Sequence, residues 1–138
     1  MIIRKKMLAG QRWLGYATRM TDERESGWVL DPKYDANGLV TAVITDEADG
    51  TVLMVGHMNA EALAKSIESR RATFFSRSRQ RLWQKGESSG NVLHIVEMRI
   101  DCDQDAIWII ARPHGPTCHT GAKSCFYRKV TDGGLEPI

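Results

Sequence analysis

Residues 38–59 read GLVTAVITDEADGTVLMVGHMN, and the architecture of the chain follows from this pattern. Two runs rich in β-branched residues, 38–45 and 51–58, predict two strands. Asp49 and Gly50 stand between them, and an Asp-Gly pair is a strong signal for a tight turn because glycine tolerates a positive φ. We therefore predict two consecutive strands joined by a tight turn.

A helix is predicted directly after the second strand. Asn59 is a good N-cap residue, and Glu61 would lie favourably in the first turn of a helix from residue 60 to about residue 69. The apolar residues at helical spacing predict one buried face. That face comprises Ala60, Leu63, Ala64 and Ile67.

Extended structure resumes after this helix. Residues 72–75 predict a short extended segment, and 91–100 predict a long, partly alternating strand. Its antiparallel partner is predicted at 106–112, ended by Pro113, Gly115 and Pro116. The fold class is therefore α+β and predominantly β, with a mixed or antiparallel sheet and one or two short helices.

Composition indicates an ordinary globular domain. The chain has 138 residues, of which 42% are hydrophobic and 26% are charged, and its net charge is +2. These values argue against a disordered chain and against nucleic-acid binding driven by charge alone. No apolar stretch is long enough to span a membrane, so we expect no membrane partner.

The chain is predicted to contain one domain with two appended segments. Residues 1–27 are a basic N-terminal arm, either a flexible or packing appendage or an organellar presequence. Residues 28–130 form the domain, and 131–138 form a C-terminal tail. The three cysteines and the absence of a recognisable signal peptide predict a reducing compartment, and we expect the cytoplasm.

The first candidate site is the acidic motif of residues 101–105, DCDQD. Its three carboxylates repel one another unless solvent or a cation compensates them. Asp101, Asp103 and Asp105 are therefore candidate ligands of Mg²⁺, which prefers oxygen donors. The alternative is a solvated acidic turn.

The second candidate site is formed by the cysteines Cys102, Cys118 and Cys125. Three thiolates suit Zn²⁺, and three protein ligands with an open fourth position are typical of catalytic zinc. The alternative is three small buried apolar residues. The polar, glycine-flanked surroundings of Cys118 and Cys125 favour ionised thiols.

The third candidate site is the basic stretch 76–91, SRSRQRLWQKGESSGN. Its cations, hydroxyls and glycines suit phosphate binding, and Trp83 is suited to stacking on a base or ribose. The alternatives are a solvated basic loop or a patch for single-stranded RNA.

Together these motifs resemble one family, phosphoribosyl-AMP cyclohydrolase of histidine biosynthesis. The resemblance rests on SRSR, W-x-K-G-E-x-S-G-N, D-C-D-x-D and G-P-x-C-H-T-G-x-x-S-C-F-Y, and it runs from about residue 28 to residue 128. It implies hydrolysis of the adenine ring of phosphoribosyl-AMP between N1 and C6, giving a ring-opened imidazole carboxamide ribotide.

The resemblance also implies metals and an assembly. Zinc would be held by Cys102, Cys118 and Cys125, and magnesium by Asp101, Asp103 and Asp105. The assembly would be an intertwined homodimer in which Cys102 comes from the opposite subunit. Some relatives carry a fused pyrophosphohydrolase, but ten residues follow Arg128 here, so we expect that activity to be absent.

The remaining site residues are expectations from chemistry and location. His119 is the first candidate for the general base, because the ordinary pKa of histidine lies near the working pH. It would alternatively orient a ligand or fill the fourth zinc position. The candidate substrate-binding residues are Ser76, Arg77, Ser78, Arg79, Trp83, Lys85, Glu87, Ser88 and Asn91.

Three residues depart from the family pattern, and two other functions compete with this interpretation. His57 stands where Tyr is usual, Gln84 where His is common, and Gln104 where Gly is frequent. A zinc-dependent nucleobase deaminase would need an H-x-E and P-C-x-x-C arrangement that the sequence lacks. A structural-zinc RNA-binding module would need closed zinc coordination and salt-sensitive affinity for RNA.

Overall fold

The computed structural model describes residues 23–138, so residues 1–22 of the predicted basic arm lie outside the described part. Helices and strands follow one another in this order: α1 (Glu23–Ser26), β1 (Val40–Asp46), β2 (Val52–Met58), α2 (Ala60–Ser69), β3 (Thr73–Ser76), β4 (Arg81–Gln84), β5 (Leu93–Ile100), β6 (Ala106–Pro113), β7 (Arg128–Thr131) and β8 (Gly134–Pro137).

The main sheet has four strands in the order β2-β1-β6-β5. Strand β1 pairs antiparallel with β2 and parallel with β6, while β5 and β6 are antiparallel. The predicted α+β class with a mixed, β-dominated architecture is confirmed. The predicted antiparallel pairing of the last two long strands is also confirmed.

The hairpin of β1 and β2 forms as the sequence predicts. Gly50 has a φ of 76°, and the carboxylate of Asp49 accepts a hydrogen bond from the N–H of Thr51 at 3.0 Å. The carboxylate of Asp46 accepts from the N–H of Ala48 at 2.8 Å, which closes the turn from its other side.

Helix α2 begins where the sequence predicts. The side chain of Asn59 accepts a hydrogen bond from the N–H of Ala62 at 2.8 Å, which satisfies one of the free donors of the first turn. The helix ends at Ser69, and the C-cap residue Arg70 has a left-handed φ of 60°. Its predicted bounds are confirmed.

The predicted apolar face of α2 is wrong in three of its four residues. Leu63 is buried, but Ile67 is 45% exposed, and Ala60 and Ala64 are exposed as well. Ser66 is fully buried instead, and its hydroxyl exchanges hydrogen bonds with the backbone of Thr73. These bonds turn the helix so that Ser66, rather than Ile67, faces β3.

Two small antiparallel sheets accompany the main one, β3 with β4 and β7 with β8. In the first, the rings of Phe74 and Trp83 lie 5.2 Å apart. The second hairpin spans the boundary predicted between residues 130 and 131. Residues 134–137 of the predicted tail therefore pair with the strand before them.

The core lies between one face of the main sheet, α2 and β3. Its fully buried large side chains include Ile44, Leu53, Met58, Phe74 and Ile109. No helix in residues 23–138 is long and apolar enough to span a membrane.

Candidate functional site

The acidic motif forms the turn between β5 and β6. Oxygens of Asp101, Asp103 and Asp105 all lie within 4.8 Å of one another. One oxygen of Asp101 accepts hydrogen bonds from the N–H groups of Asp105 at 3.0 Å and Ala106 at 3.1 Å, which curls the turn around that side chain. The structure thus brings together the three carboxylates that the sequence singles out.

The carboxylates of Asp101 and Asp105 have pKa values displaced in opposite directions. Burial opposes ionisation of Asp101, but hydrogen bonds from Ala106 and Asp105 outweigh it and lower its pKa. Hydrogen bonding to Asp101 and then to Asp103 raises the pKa of Asp105. When several carboxylates share a small space, one of them commonly has a raised pKa. An oxygen donor set of this kind fits a hard divalent cation.

The cysteine loop, residues 115–127, is fastened to the free edge of β2. The N–H of Cys125 donates to the carbonyl of Leu53 at 2.8 Å. The hydroxyl of Ser124 donates to the carbonyl of Val52 at 2.6 Å. These bonds continue the pairing of β2 outward and fix the backbone that carries Cys125.

An ion pair adds a second attachment. The ammonium of Lys123 lies 2.6 Å from a carboxylate oxygen of Asp49 and 3.5 Å from one of Asp46. The hydrogen bond with Lys123 lowers the pKa of Asp49, and the same bond raises the pKa of Lys123. The β1–β2 turn therefore holds the cysteine loop through opposite charges.

Cys118 occupies a tight turn within the loop. Its N–H donates to the carbonyl of Ala122 at 3.1 Å, and its carbonyl accepts from the N–H of Gly121 at 3.0 Å. The hydroxyl of Thr120 donates to Cys118 Sγ at 3.1 Å. Cys118 is buried, and its sulfur accepts this hydrogen bond.

Cys118 and Cys125 interact with each other. Hydrogen bonds from the side chain and backbone of Thr120 lower the pKa of Cys118, and Cys125 and the charge of Lys85 add to the effect. Burial, followed by the neighbouring Cys118, raises the pKa of Cys125. Cys118 therefore ionises first, and the pair is suited to a metal that shares the second negative charge.

Cys102 does not join this pair. It lies in the acidic turn and is exposed, and within residues 23–138 the three sulfurs do not all lie within 4.8 Å of one another. One copy of the described chain thus provides two adjacent thiols in one place and the third thiol elsewhere.

The segment 85–91 packs against the cysteine loop. A Cβ at Gly115 would stand 2.5 Å from Asn91 Oδ1, and a Cβ at Gly86 would stand 2.5 Å from the backbone of Asn91. Both glycines have a positive φ, 112° and 86°. Glycine at both positions allows Asn91 to lie directly against the loop, with Lys85 close enough to influence both thiols.

The basic turn, residues 76–79, joins β3 to β4. The N–H of Arg79 donates to Ser76 Oγ at 3.2 Å, and the hydroxyls of Ser76 and Ser78 lie 3.4 Å apart. The positive charge of this turn acts on His57. Burial lowers the pKa of His57, and the charge of Arg77 lowers it further. His57, a departure from the family pattern, therefore lies within electrostatic reach of a predicted phosphate-binding residue.

Several predicted binding residues also have contacts that support the fold. Trp83 packs on Phe74, with Lys85 6.0 Å from its ring centroid. The carboxylate of Glu87 accepts a hydrogen bond from the N–H of Gln84 at 2.8 Å. A pocket of about 310 Å³ opens beside them, lined in part by Lys65, Glu68, Trp83, Gln84 and Glu87.

His119 and Ser88 are exposed. His119 directly follows Cys118 in the same turn. Thr117 directly precedes Cys118, and its hydroxyl is buried and has no hydrogen-bond partner within residues 23–138.

Sequence reasoning missed Thr120 and the ion pairs of Lys123. Thr120 lies two residues after Cys118, and a hydroxyl at that spacing is a local signal for a bond to the thiol. The Lys123–Asp49 pair joins residues 74 positions apart and leaves no such local signal.

Comparisons with known proteins agree on one family. A family model described as phosphoribosyl-AMP cyclohydrolase matches residues 54–127. A protein of that name from Rhizorhabdus wittichii is 66% identical over 115 residues, which cover 83% of this chain and 93% of the relative. One from Rhodopseudomonas palustris (strain HaA2) is 58% identical over 124 residues, covering 88% of this chain and 84% of the relative. One from Zymomonas mobilis is 53% identical over 119 residues, covering 86% and 96%.

Proposed function

The chain belongs to the phosphoribosyl-AMP cyclohydrolase family, an enzyme family of histidine biosynthesis, and we propose that it opens the adenine ring of phosphoribosyl-AMP by hydrolysis. The oxygen of water forms a bond to C6, the bond between C6 and N1 breaks, and a proton reaches N1. C6 thereby becomes the carbonyl carbon of a carboxamide. The observation that carries the proposal is the meeting of Cys118, Cys125, Lys85 and Asn91 at one loop.

Cys118 and Cys125 are the proposed zinc ligands of one subunit. Their donor set fits, because one thiol has a lowered pKa and the other needs a positive neighbour to ionise. Zinc bound by thiolates lowers the pKa of a bound water toward neutrality, which is the chemistry that this ion supplies.

Cys102 of a second copy is the proposed third ligand. Support comes from its exposure and from its position in the acidic turn, away from the other two sulfurs of its own chain. A homodimer with two such sites gives every cysteine a role and places the acidic turn of one subunit beside the cysteine loop of the other. These free thiols need a reducing compartment, and we propose the cytoplasm.

The acidic trio is the proposed magnesium site. The fit rests on three carboxylates within 4.8 Å of one another, which form an oxygen donor set. A divalent cation there would neutralise phosphate charge and orient the nucleotide.

The basic turn and segment 85–91 would bind the nucleotide. Arginine presents forked donors that suit phosphate oxygens, and Lys85 adds charge close to the thiols. Trp83 and Glu87 would shape the pocket wall that they already line. The proposed phosphate-binding residues are Ser76, Arg77, Ser78, Arg79 and Lys85, with Ser88 and Asn91 completing the wall.

His119 is the proposed proton carrier. It is exposed and directly follows Cys118, so its imidazole is available to a substrate held at the cysteine loop. It would take the proton that water loses and deliver one toward N1.

The test is turnover of phosphoribosyl-AMP followed by ultraviolet absorbance, with metals removed and then restored. We expect activity that chelation abolishes and that Zn²⁺ with Mg²⁺ restores. Asp103→Asn should raise the Mg²⁺ concentration needed for half-maximal rate without loss of zinc. Full turnover by metal-free protein would refute the zinc assignment, and an unchanged Mg²⁺ titration in Asp103→Asn would refute the magnesium one.

A further inference from the structure

Gln104 ties the acidic turn to the segment that precedes β1. Its side-chain oxygen accepts a hydrogen bond from the N–H of Asp31 at 2.7 Å. Its side-chain nitrogen donates to the carbonyls of Arg24 at 2.9 Å and Val29 at 3.1 Å. Its own carbonyl accepts from the N–H of Lys33 at 2.6 Å. One residue thus satisfies four backbone groups of residues 24–33.

The backbone conformation of Gln104 is unfavourable for a residue with a side chain. Its φ is 60°, in the left-handed region that favours glycine, and its side chain is 5% exposed. A glycine would relieve the backbone at this position but would remove the three side-chain hydrogen bonds to the backbone of Arg24, Val29 and Asp31. The hydrogen bonds of the glutamine side chain are what glycine cannot provide.

The same residue shapes the turn that carries the carboxylates. The N–H of Gln104 donates to the carbonyl of Asp101 at 3.1 Å. Gln104 stands between Asp103 and Asp105, so any movement of its backbone moves both carboxylates. The attached segment also lines a pocket of about 310 Å³ together with Asp101 and Cys102.

We propose that Gln104 is a positioning residue that locks the acidic turn against residues 24–33 and so fixes the spacing of the three carboxylates. The inference rests on the proposed function in one respect, the binding of a divalent cation by that turn. Outer partners of metal ligands act in this way, and their loss commonly weakens metal binding by about ten- to a hundredfold.

Two substitutions test the proposal. Gln104→Met keeps the length of the side chain but removes its hydrogen bonds, and Gln104→Gly removes the side chain while relieving the positive φ. Arg70→Gly is the matched control, because Arg70 has the same φ of 60° on an exposed helix end. Gln104→Gly keeps the test valid where Gln104→Met fails to fold.

Two readouts separate positioning from support of the fold alone. Hydrogen exchange at the Asp31 amide should quicken by about tenfold in both Gln104 variants, because that amide loses its acceptor. Affinity for Mn²⁺, followed by electron paramagnetic resonance as a probe for Mg²⁺, should weaken by about tenfold. The Mg²⁺ concentration for half-maximal rate should rise in parallel, with kcat retained at saturating Mg²⁺, and Arg70→Gly should change none of these.

Two results would overturn the inference. One is an unchanged rate of exchange at Asp31, and the other is faster exchange with unchanged Mn²⁺ affinity. A wild-type protein that binds no Mn²⁺ would instead refute the magnesium assignment of the proposed function, and the positioning role would fall with it.

Discussion

The side-chain amide of Asn91 lies against the Cα of Gly115, so closely that a Cβ there would stand 2.5 Å from Asn91 Oδ1. This contact joins the segment after β4 to the loop that carries Cys118 and Cys125. Because the contact needs glycine, it can be tested by adding one methyl group.

Gly115→Ala should destabilise the protein by about 1–3 kcal/mol, since the φ of 112° and the collision with Asn91 add together. Urea unfolding measures the loss. Gly38→Ala is the control, because its φ is 76° but nothing lies within 4 Å of its added Cβ. The two variants should differ clearly, and replacing Asn91 by Ala in the Gly115→Ala background should recover part of the loss. Equal losses in the two single variants would contradict the contact.

Thr120→Val should shift zinc binding to higher pH. The Thr120 hydroxyl lowers the pKa of Cys118, so its removal raises that pKa and makes the proton harder to displace. We expect the midpoint of zinc binding, measured by chelator competition across pH, to move to higher pH. Thr120→Ser should restore the wild-type profile. A Thr120→Val profile that matches wild type would show that the hydroxyl does not tune the thiol.

His119→Asn should lower kcat by about 10²–10⁴-fold while zinc content stays unchanged, because the variant loses a proton carrier and no zinc ligand. Steady-state kinetics and atomic absorption on the same preparation give both quantities. Loss of zinc together with activity would reassign His119 to the metal, and full activity would remove it from the reaction.

Asp49→Asn should remove one pH-dependent part of the stability. The pKa of Asp49 is lowered in the folded state, so its contribution is present above about pH 4 and is lost as pH falls through the folded pKa. Unfolding midpoints measured from pH 7 down to pH 2 should therefore fall less steeply in Asp49→Asn than in wild type. Asp132→Asn is the control, since Asp132 makes no ion pair within residues 23–138. Parallel curves for Asp49→Asn and wild type would contradict the pair's role.

The sequence predicts those parts of the fold that local chemistry determines. Asn59 caps α2 and Gly50 turns the first hairpin because each side chain, or its absence, acts on its own neighbours in the chain. The acidic cluster is local in the same sense, since its three carboxylates stand two residues apart.

The sequence does not predict what depends on distant partners. The parallel pairing of β1 with β6 joins segments that share no local signal. The buried face of α2 includes Ser66, which bonds the backbone of Thr73 in the next strand, whereas Ile67 is exposed. Strand β4 is not predicted, because the charges of residues 76–91 indicate a binding stretch, although the pairing of Trp83 with Phe74 supplies burial.

Mixing two inactive variants tests the central claim most directly. Cys102→Ser and Cys118→Ser should each lose zinc and turnover of phosphoribosyl-AMP. Unfolding and refolding them together should restore about one quarter of wild-type activity, because half of the dimers are mixed and each mixed dimer has one intact site. Separately refolded samples are the control. No restored activity from a mixture of folded dimers would contradict a zinc site shared between subunits.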